Sequence, residues 1–221
     1  MELKILYEDN HLIVVIKPSG ILSQKDSTND PDMLTIVKEY IKEKYQKPGN
    51  VYLGLVQRLD RMTSGIMVFA KTSKAASRLC EQVRNHDVFK KYLAIVEGKV
   101  QSEQTLKNYL LKDEKLVKSF VVEKEQGKIA VLDYNLIEYI DDISLISVLL
   151  HTGRHHQIRV QMANIHHPLY ADHLYGSTKK GTMHLHAYYL AFVHPITKEV
   201  LKFTNLPNSR MWDKFDLTKI N

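Results

Sequence analysis

The sequence predicts an α+β fold, with a mixed, largely antiparallel central β-sheet and flanking helices. Three observations carry this expectation. Segments of strand character outnumber helical ones. The helices fall at irregular intervals, so the regular βαβ alternation of a doubly wound sheet is missing. No glycine-rich phosphate loop is present, which disfavours nucleoside-triphosphate and dinucleotide enzymes.

Residues 3–7 and 12–16 read as two strands around the turn Glu8-Asp9-Asn10, and Lys17-Pro18-Ser19-Gly20 ends the second. Asp30 as N-cap and Pro31 at the first helical position open a helix with the apolar stripe Met33, Leu34, Val37, Tyr40 and Ile41. Residues 66–70 form a buried strand. Ser73 caps a second helix with the stripe Ala75, Ala76, Leu79, Cys80 and Val83, which makes Cys80 a small core residue rather than a reactive thiol. A strand at 92–96 follows, closed by Gly98. Then comes a charged, strand-rich stretch with β-type runs at 117–122, 129–137 and 143–150. Thr152 or Gly153 opens a third helix that continues to Ile165 and ends at His166-His167-Pro168. Two last strands, 185–193 and 200–203, flank the turn His194-Pro195-Ile196-Thr197.

The totals are those of an ordinary globular chain: 221 residues, 44% hydrophobic and 25% charged, enough for a sizeable core. No apolar run approaches the roughly 20 residues needed to span a bilayer, so no membrane partner is expected. The N-terminus shows no basic leader followed by an apolar stretch. Cys80 is the only cysteine, which excludes an internal disulfide and fits a reducing, cytoplasmic setting. A net charge of +6 favours polyanionic partners such as nucleic acid. Six basic residues against two acidic ones between Lys71 and Lys91 sharpen that hint, although a solvated helix face gives the same pattern.

Two constellations carry chemistry. The first is Gln57-Arg58-Leu59-Asp60-Arg61-Met62-Thr63-Ser64-Gly65, set between apolar segments. Flanking arginines favour the ionised form of Asp60, and the hydroxyls and glycine suit a tight turn. An ionised carboxylate held on such a loop is a candidate nucleophile or base; a structural aspartate in an ion-paired turn is the alternative. The second is His151-Thr152-Gly153-Arg154-His155-His156-Gln157-Ile158-Arg159. Placed in the first turn of a helix, Arg154 to Gln157 call for a nearby anion. Arg159 can point inward to a buried carboxylate while Arg154 reaches outward. Nine of the eleven histidines lie between His151 and His194, yet no HExxH motif, cysteine ligand or carboxylate cluster accompanies them. No metal is therefore expected. Histidines that bond backbone or touch phosphate are the favoured reading.

Taken in order, three blocks resemble the RluA-type pseudouridine synthases closely: Arg58-Leu59-Asp60-Arg61 with Thr63-Ser64-Gly65; Lys91 through Gly98; and Thr152 through Val160 followed by His167-Pro168-Leu169, Asp172 and Leu174-Tyr175-Gly176. Lys17-Pro18-Ser19-Gly20, Leu185-His186-Ala187 and His194-Pro195 echo it further. The resemblance spans essentially the whole chain. It implies an enzyme that isomerises uridine in ribosomal or transfer RNA to its C-glycoside, with no cofactor and no metal. Asp60 matches the catalytic aspartate, Tyr92 the tyrosine that stacks on the target base, and Arg159 the basic residue that pairs with the aspartate. Leu185 matches an apolar wall residue, and Arg58 an arginine that enters the RNA stack as the nucleotide leaves it. Arg61, Lys91, Arg154, His156 and Gln157 belong to the same blocks and are expected to contact RNA. The chemistry fits independently: breaking a uridine C–N bond needs a group that meets an electrophilic sugar carbon, and a flipped base needs a stacking aromatic.

Two departures stand out. The family usually has His where this chain has Gln57, which keeps a hydrogen bond but no charge. It usually has glycine where this chain has Ala171, which suggests a different local backbone. The resulting expectation is one catalytic domain over 1–221, monomeric, without the separate N-terminal RNA-binding module of many relatives. A catalytically inactive RNA-binding module of the same fold is the rival reading, and Gln57 alone favours it.

Overall fold

The computed structural model describes residues 2–28 and 30–220. In chain order its elements are β1 (Ile5–Glu8), β2 (Leu12–Lys17), α1 (Met33–Lys44), β3 (Gly54–Leu55), β4 (Ser64–Ala70), α2 (Ser73–Arg84), β5 (Phe89–Glu97), β6 (Glu103–Asp113), β7 (Lys118–Val122), β8 (Lys128–Ile140), β9 (Ile143–Leu150), α3 (Gln157–Asn164), β10 (Leu185–Val193) and β11 (Val200–Thr204). They form two compact units: Met1–Val88 with Tyr189–Asn205, and Phe89–Tyr188 with Leu206–Asn221. The α+β class and the largely antiparallel pairing are as the sequence predicts. Among the described residues, no helix is long and apolar enough to cross a membrane.

In the first unit β2 pairs antiparallel with β1 and β4, and β3 extends the group beyond β4. The β1–β2 turn is set by Asp9, whose Oδ1 accepts from the amides of His11 and Leu12 at 2.7 Å each. One side chain from another segment completes it. The buried His194 donates from Nε2 to Asp9 at 2.9 Å and accepts the Thr197 amide on Nδ1, so its tautomer is fixed by both neighbours. The core is the apolar face of β2 and β4 (Leu12, Val14, Ile66, Val68) against Ala75 and Leu79 of α2 and Phe192 of β10. Cys80 is free and half-buried on α2.

Both helix starts in this unit differ from expectation by a short step. Asp32, not Asp30, caps α1, accepting from the Thr35 amide at 3.0 Å. A bridge between Leu22 and Asp32 keeps Pro31 and Asp32 extended, so Pro31 lies outside the helix. Thr72, with extended backbone, caps α2 through the Ala75 amide, and Ser73 is already helical.

In the second unit the strand order is β5-β9-β8-β6-β7, antiparallel throughout. β6 is the strand that no named run anticipates. Its inward positions alternate apolar Leu106 and Leu110 with polar Gln104 and Asn108, while Tyr109 and Leu111 face outward, so the residue types do not show the alternation that marks a half-buried strand. α3 starts four to five residues later than expected. His156 takes a left-handed conformation (φ +53) and serves as its N-cap, so Arg154 and His155 lie in the loop before the helix rather than in its first turn.

The end of β1 carries a polar knot that makes a test of this packing. The Glu8 side chain is 8% exposed and accepts from Tyr40, Lys44, Tyr45 and Lys71 at 2.7–3.0 Å. Burial opposes its ionisation, but the four donors outweigh burial and bring the carboxyl down to about 2. The unfolded chain protonates this group near 4.5. Its contribution is therefore complete above about pH 4.5 and fades as pH falls towards 2. Glu8→Gln is expected to lower stability by about 2 kcal/mol at pH 7. In urea denaturation at pH 7 and pH 3, the gap from the parent should shrink at the lower pH.

Candidate active site

Asp60 lies in an irregular segment between β3 and β4, half-buried, and its carbonyl accepts the Thr63 amide at 3.0 Å to close a tight turn. The preceding residue is clamped: the Ser23 hydroxyl donates to the Leu59 carbonyl at 2.6 Å and accepts the Leu59 amide at 2.9 Å. Gln57 donates from Nε2 to the Ile66 carbonyl of β4 at 3.2 Å. The residue that replaces the usual histidine thus ties the cassette to the sheet, as a loop-packing group should.

The turn is gripped from below by a residue with no solvent contact. Lys17, the last residue of β2, is fully buried. Its Nζ donates to the carbonyls of Pro18 (3.0 Å), Ile21 (2.5 Å) and Arg61 (2.9 Å). Three donors meet three carbonyls, two before the helix α1 and one beside Asp60. Burial lowers its pKa to about 7, with the Asp60 charge acting to raise it and Arg61 to lower it. Gly65 faces Lys17 across the β2–β4 ladder and has φ +121, a conformation that favours glycine. The loop after Lys17 wraps the cassette: the Gly20 amide donates to the Arg61 carbonyl, and Ser19 Oγ to Met62. Arg61 itself donates to the Gly20 carbonyl and pairs with Asp30 at 2.7 Å, so its guanidinium fastens the loop. Arg58 is exposed.

In the second unit Lys91 and Tyr92 are neighbours on β5, with Tyr92 buried. Leu185 is buried at the start of β10. Arg159, on α3, grips the buried Asp172 with two bonds, Nε at 2.6 Å and an outer guanidinium nitrogen at 2.7 Å. It points inward to a carboxylate, while Arg154 donates outward to the Ile129 carbonyl at 2.8 Å. Asp172 is delivered by Ala171, which sits at φ +58, the left-handed region that glycine favours. Gln157 is buried and holds the loop before α3. Its Oε1 accepts from Thr152 and the Arg154 amide, and its Nε2 donates to Val131.

A tyrosine joins these groups. The Arg159 guanidinium lies 5.0 Å from the Tyr175 ring centre, and the Tyr175 hydroxyl accepts the Ser119 amide and bonds His156 Nδ1 at 3.0 Å. His155 stacks on His156 at 3.8 Å and bonds Ser119. Burial first, then the charge of Arg159, pushes His156 down to about 2, so the ring is neutral at neutral pH. The remaining histidines follow the same pattern: His167 bonds the Glu97 carbonyl and His173 the Ser177 carbonyl. Among the described residues, no three His, Cys, Asp or Glu side chains are grouped to hold a metal ion. The sequence marks Lys17, Asp172 and Tyr175 only as members of matching blocks, and it gives Ser23 and Ser119 no mark at all.

A model of the RNA pseudouridylate synthase family matches residues 11–164, a segment that holds Asp60, Tyr92 and Arg159. The ribosomal large subunit pseudouridine synthase D of Zymomonas mobilis is 34% identical over 215 residues, which cover 91% of this chain and 68% of that protein. The tRNA pseudouridine synthase C of Haemophilus influenzae is 32% identical over 225 residues, covering 91% of this chain and 92% of its own length. The solved structure of human RNA Pseudouridylate Synthase Domain Containing 4 shares the fold, with a TM-score of 0.79 at 23% identity over 95% of this chain and 90% of that one. Fold and matches together define an isomerase that works on RNA. The chain belongs to the RNA pseudouridylate synthase family, in its RluA-type branch.

Lys17 gives this site a pH signature. In the unfolded chain it titrates near 10.5 and in the native state near 7, so between these values the unfolded chain binds the extra proton and stability rises with pH. Lys17→Met strands buried carbonyls and is expected to cost about 3 kcal/mol near pH 7. The gap between parent and variant, read from urea midpoints, should widen from pH 7 to pH 9. A gap that narrows over that range would contradict the assignment.

Proposed function

We propose that this chain converts uridine to pseudouridine in ribosomal or transfer RNA, with Asp60 as the catalytic residue. The observation that carries the reading is the clamped Asp60 turn, held by Lys17 and Ser23 inside the segment that matches the family. The names of the relatives from Zymomonas mobilis and Haemophilus influenzae support ribosomal and transfer RNA as the two substrate classes.

The reaction is an isomerisation, so nothing is added or lost overall. The N1–C1′ bond of uridine breaks, the base rotates, and C5 bonds to C1′. C5 loses its proton and N1 gains one. Asp60 either attacks C1′ to hold the sugar covalently, or takes the C2′ proton as uracil leaves to form a glycal and returns it when C5 rejoins C1′, and both routes need an ionised carboxylate beside the C1′–C2′ bond. Tyr92 stacks on the detached base, Leu185 lines its pocket, and Arg159 supplies the positive charge that pairs with a carboxylate in the reaction. Arg58 enters the RNA stack in place of the target nucleotide. Lys91, Arg154 and His156 contact the RNA. Arg61 and Gln157 act on it by fastening the loops that carry their neighbours. The enzyme works as a cytoplasmic monomer, with residues 1–221 acting as one catalytic domain without cofactor or metal.

The test is pseudouridine mapping, by carbodiimide labelling and primer extension, on RNA from cells with and without the gene. One or a few sites should disappear, and return with the parent gene but not with Asp60→Asn. The purified Asp60→Asn protein should lose more than about 10³-fold in turnover while keeping its RNA affinity within about threefold. Full turnover by this variant would refute the assignment.

A further inference from the structure

The β6–β7–β8 group has two apolar faces, and only one of them is covered. Leu110, Val121 and Ala130 pack on Val160, Ala163 and Tyr175. The opposite face leaves Leu111, Phe120 and Ile129 exposed at 47%, 38% and 37%. Leu111 and Phe120 are direct cross-strand partners, and Tyr109 pairs with Ile129, so the exposed side chains form one patch beside β7, the last strand in the order. At the hairpin tip Leu116 and Val117 are also exposed, and Val117 sits at φ +48. A β-branched residue in that region is strained, and nothing in the core requires it there.

The rim of this patch is basic. Lys107 shares the outward face of β6, the Lys118 ammonium lies between two rings, 5.4 Å from the Phe120 centre and 5.1 Å from that of Tyr175, and Arg154 is anchored on Ile129. Among the nearby carboxylates, Asp113 lies across from Lys118, and Glu123 and Glu125 are exposed past the end of β7, while three have polar partners. Asp113 accepts the amides of Lys115 and Leu116, Glu114 pairs with Lys112, and Asp133 bonds Thr105 and His151. Among the described residues, no ion pair engages Lys107 or Lys118. An aromatic ring on an open antiparallel sheet, with cations at its edge, suits single-stranded RNA: bases stack on the ring and ammonium groups hold the phosphates.

We propose that this outward face is a docking platform for the single-stranded RNA that flanks the target uridine, with Phe120 as the stacking residue and Lys107 and Lys118 as the phosphate contacts. This rests on RNA being the substrate. A second copy of the chain is a poorer occupant, because two basic faces would meet.

The experiment measures binding of fluorescein-labelled oligouridylate to the parent, Phe120→Ala and Lys107→Ala proteins across a salt series. In parallel, pseudouridine formation is followed on unmodified transcripts. Both side chains are exposed, so melting temperatures should not move. Phe120→Ala should weaken binding about tenfold, and Lys107→Ala should lower the slope of log affinity against log salt by a little under one. Unchanged affinity in Phe120→Ala overturns the platform, even if transcripts are modified normally. So does a dimer seen by sedimentation that Phe120→Ala dissolves. Phe120-dependent binding with unmodified transcripts supports the platform while refuting the catalytic reading, so the two failures are distinguishable.

Discussion

One buried ammonium group holds the Asp60 turn in shape. Lys17 sits at the end of a strand whose other residues are all apolar, and its three N–H groups, with the nearby Asp60 charge, offset its desolvation. An unpaired ammonium in that position would cost several kcal/mol; here the carbonyls of Pro18, Ile21 and Arg61 converge on it. Two of those carbonyls belong to the loop that follows β2 and the third to the cassette. The lysine therefore fixes the distance between two segments more than forty residues apart in sequence. Ser23 and Gln57 add directional bonds to the same turn, and Gly65 lets β4 begin with the backbone its position demands.

The second unit solves a related problem with one buried ion pair and a set of neutral hydrogen bonds. α3 is buried along nearly its whole length, so its polar residues need partners from their neighbours. Arg159 finds the buried Asp172, Gln157 the loop and β8, and His156 the Tyr175 hydroxyl. Two residues in left-handed backbone, His156 and Ala171, aim these groups. Such conformations cost about 1 kcal/mol or more for a residue with a Cβ, and they persist because the surrounding bonds determine them.

Much of this was legible in the residues themselves. The strands at 12–16, 66–70, 143–150 and 185–193 read directly from apolar content. The stripes of α1 and α2 gave their buried faces. The reading of the histidines as backbone-bonding holds for His167 and His173, whereas His155 and His156 bond side-chain hydroxyls that the residue pattern does not reveal. What the residues concealed was long-range. The burial of Lys17 depends on carbonyls that only the folded loop supplies. The late start of α3 depends on Gln157 binding Thr152 and the Arg154 amide, which competes with helical geometry there. β6 is revealed by its partners β7 and β8, because its inward face mixes Gln104 and Asn108 with Leu106 and Leu110 and so hides the alternation in the residue types. Ala171 keeps a glycine-like conformation that its side chain disfavours, so an inference from residue type alone pointed to a change of backbone there.

The central claim is that the clamped Asp60 turn serves a bond rearrangement at uridine. Forming a bond from C5 to C1′ must expel the hydrogen on C5. The most direct measurement is therefore release of tritium to water from ribosomal and transfer RNA transcripts carrying uridine tritiated at C5, incubated with the purified protein alone. Release in step with the appearance of pseudouridine, with no added metal or cofactor, is the predicted result. Tight RNA binding with all tritium retained on transcripts of both classes would contradict the account.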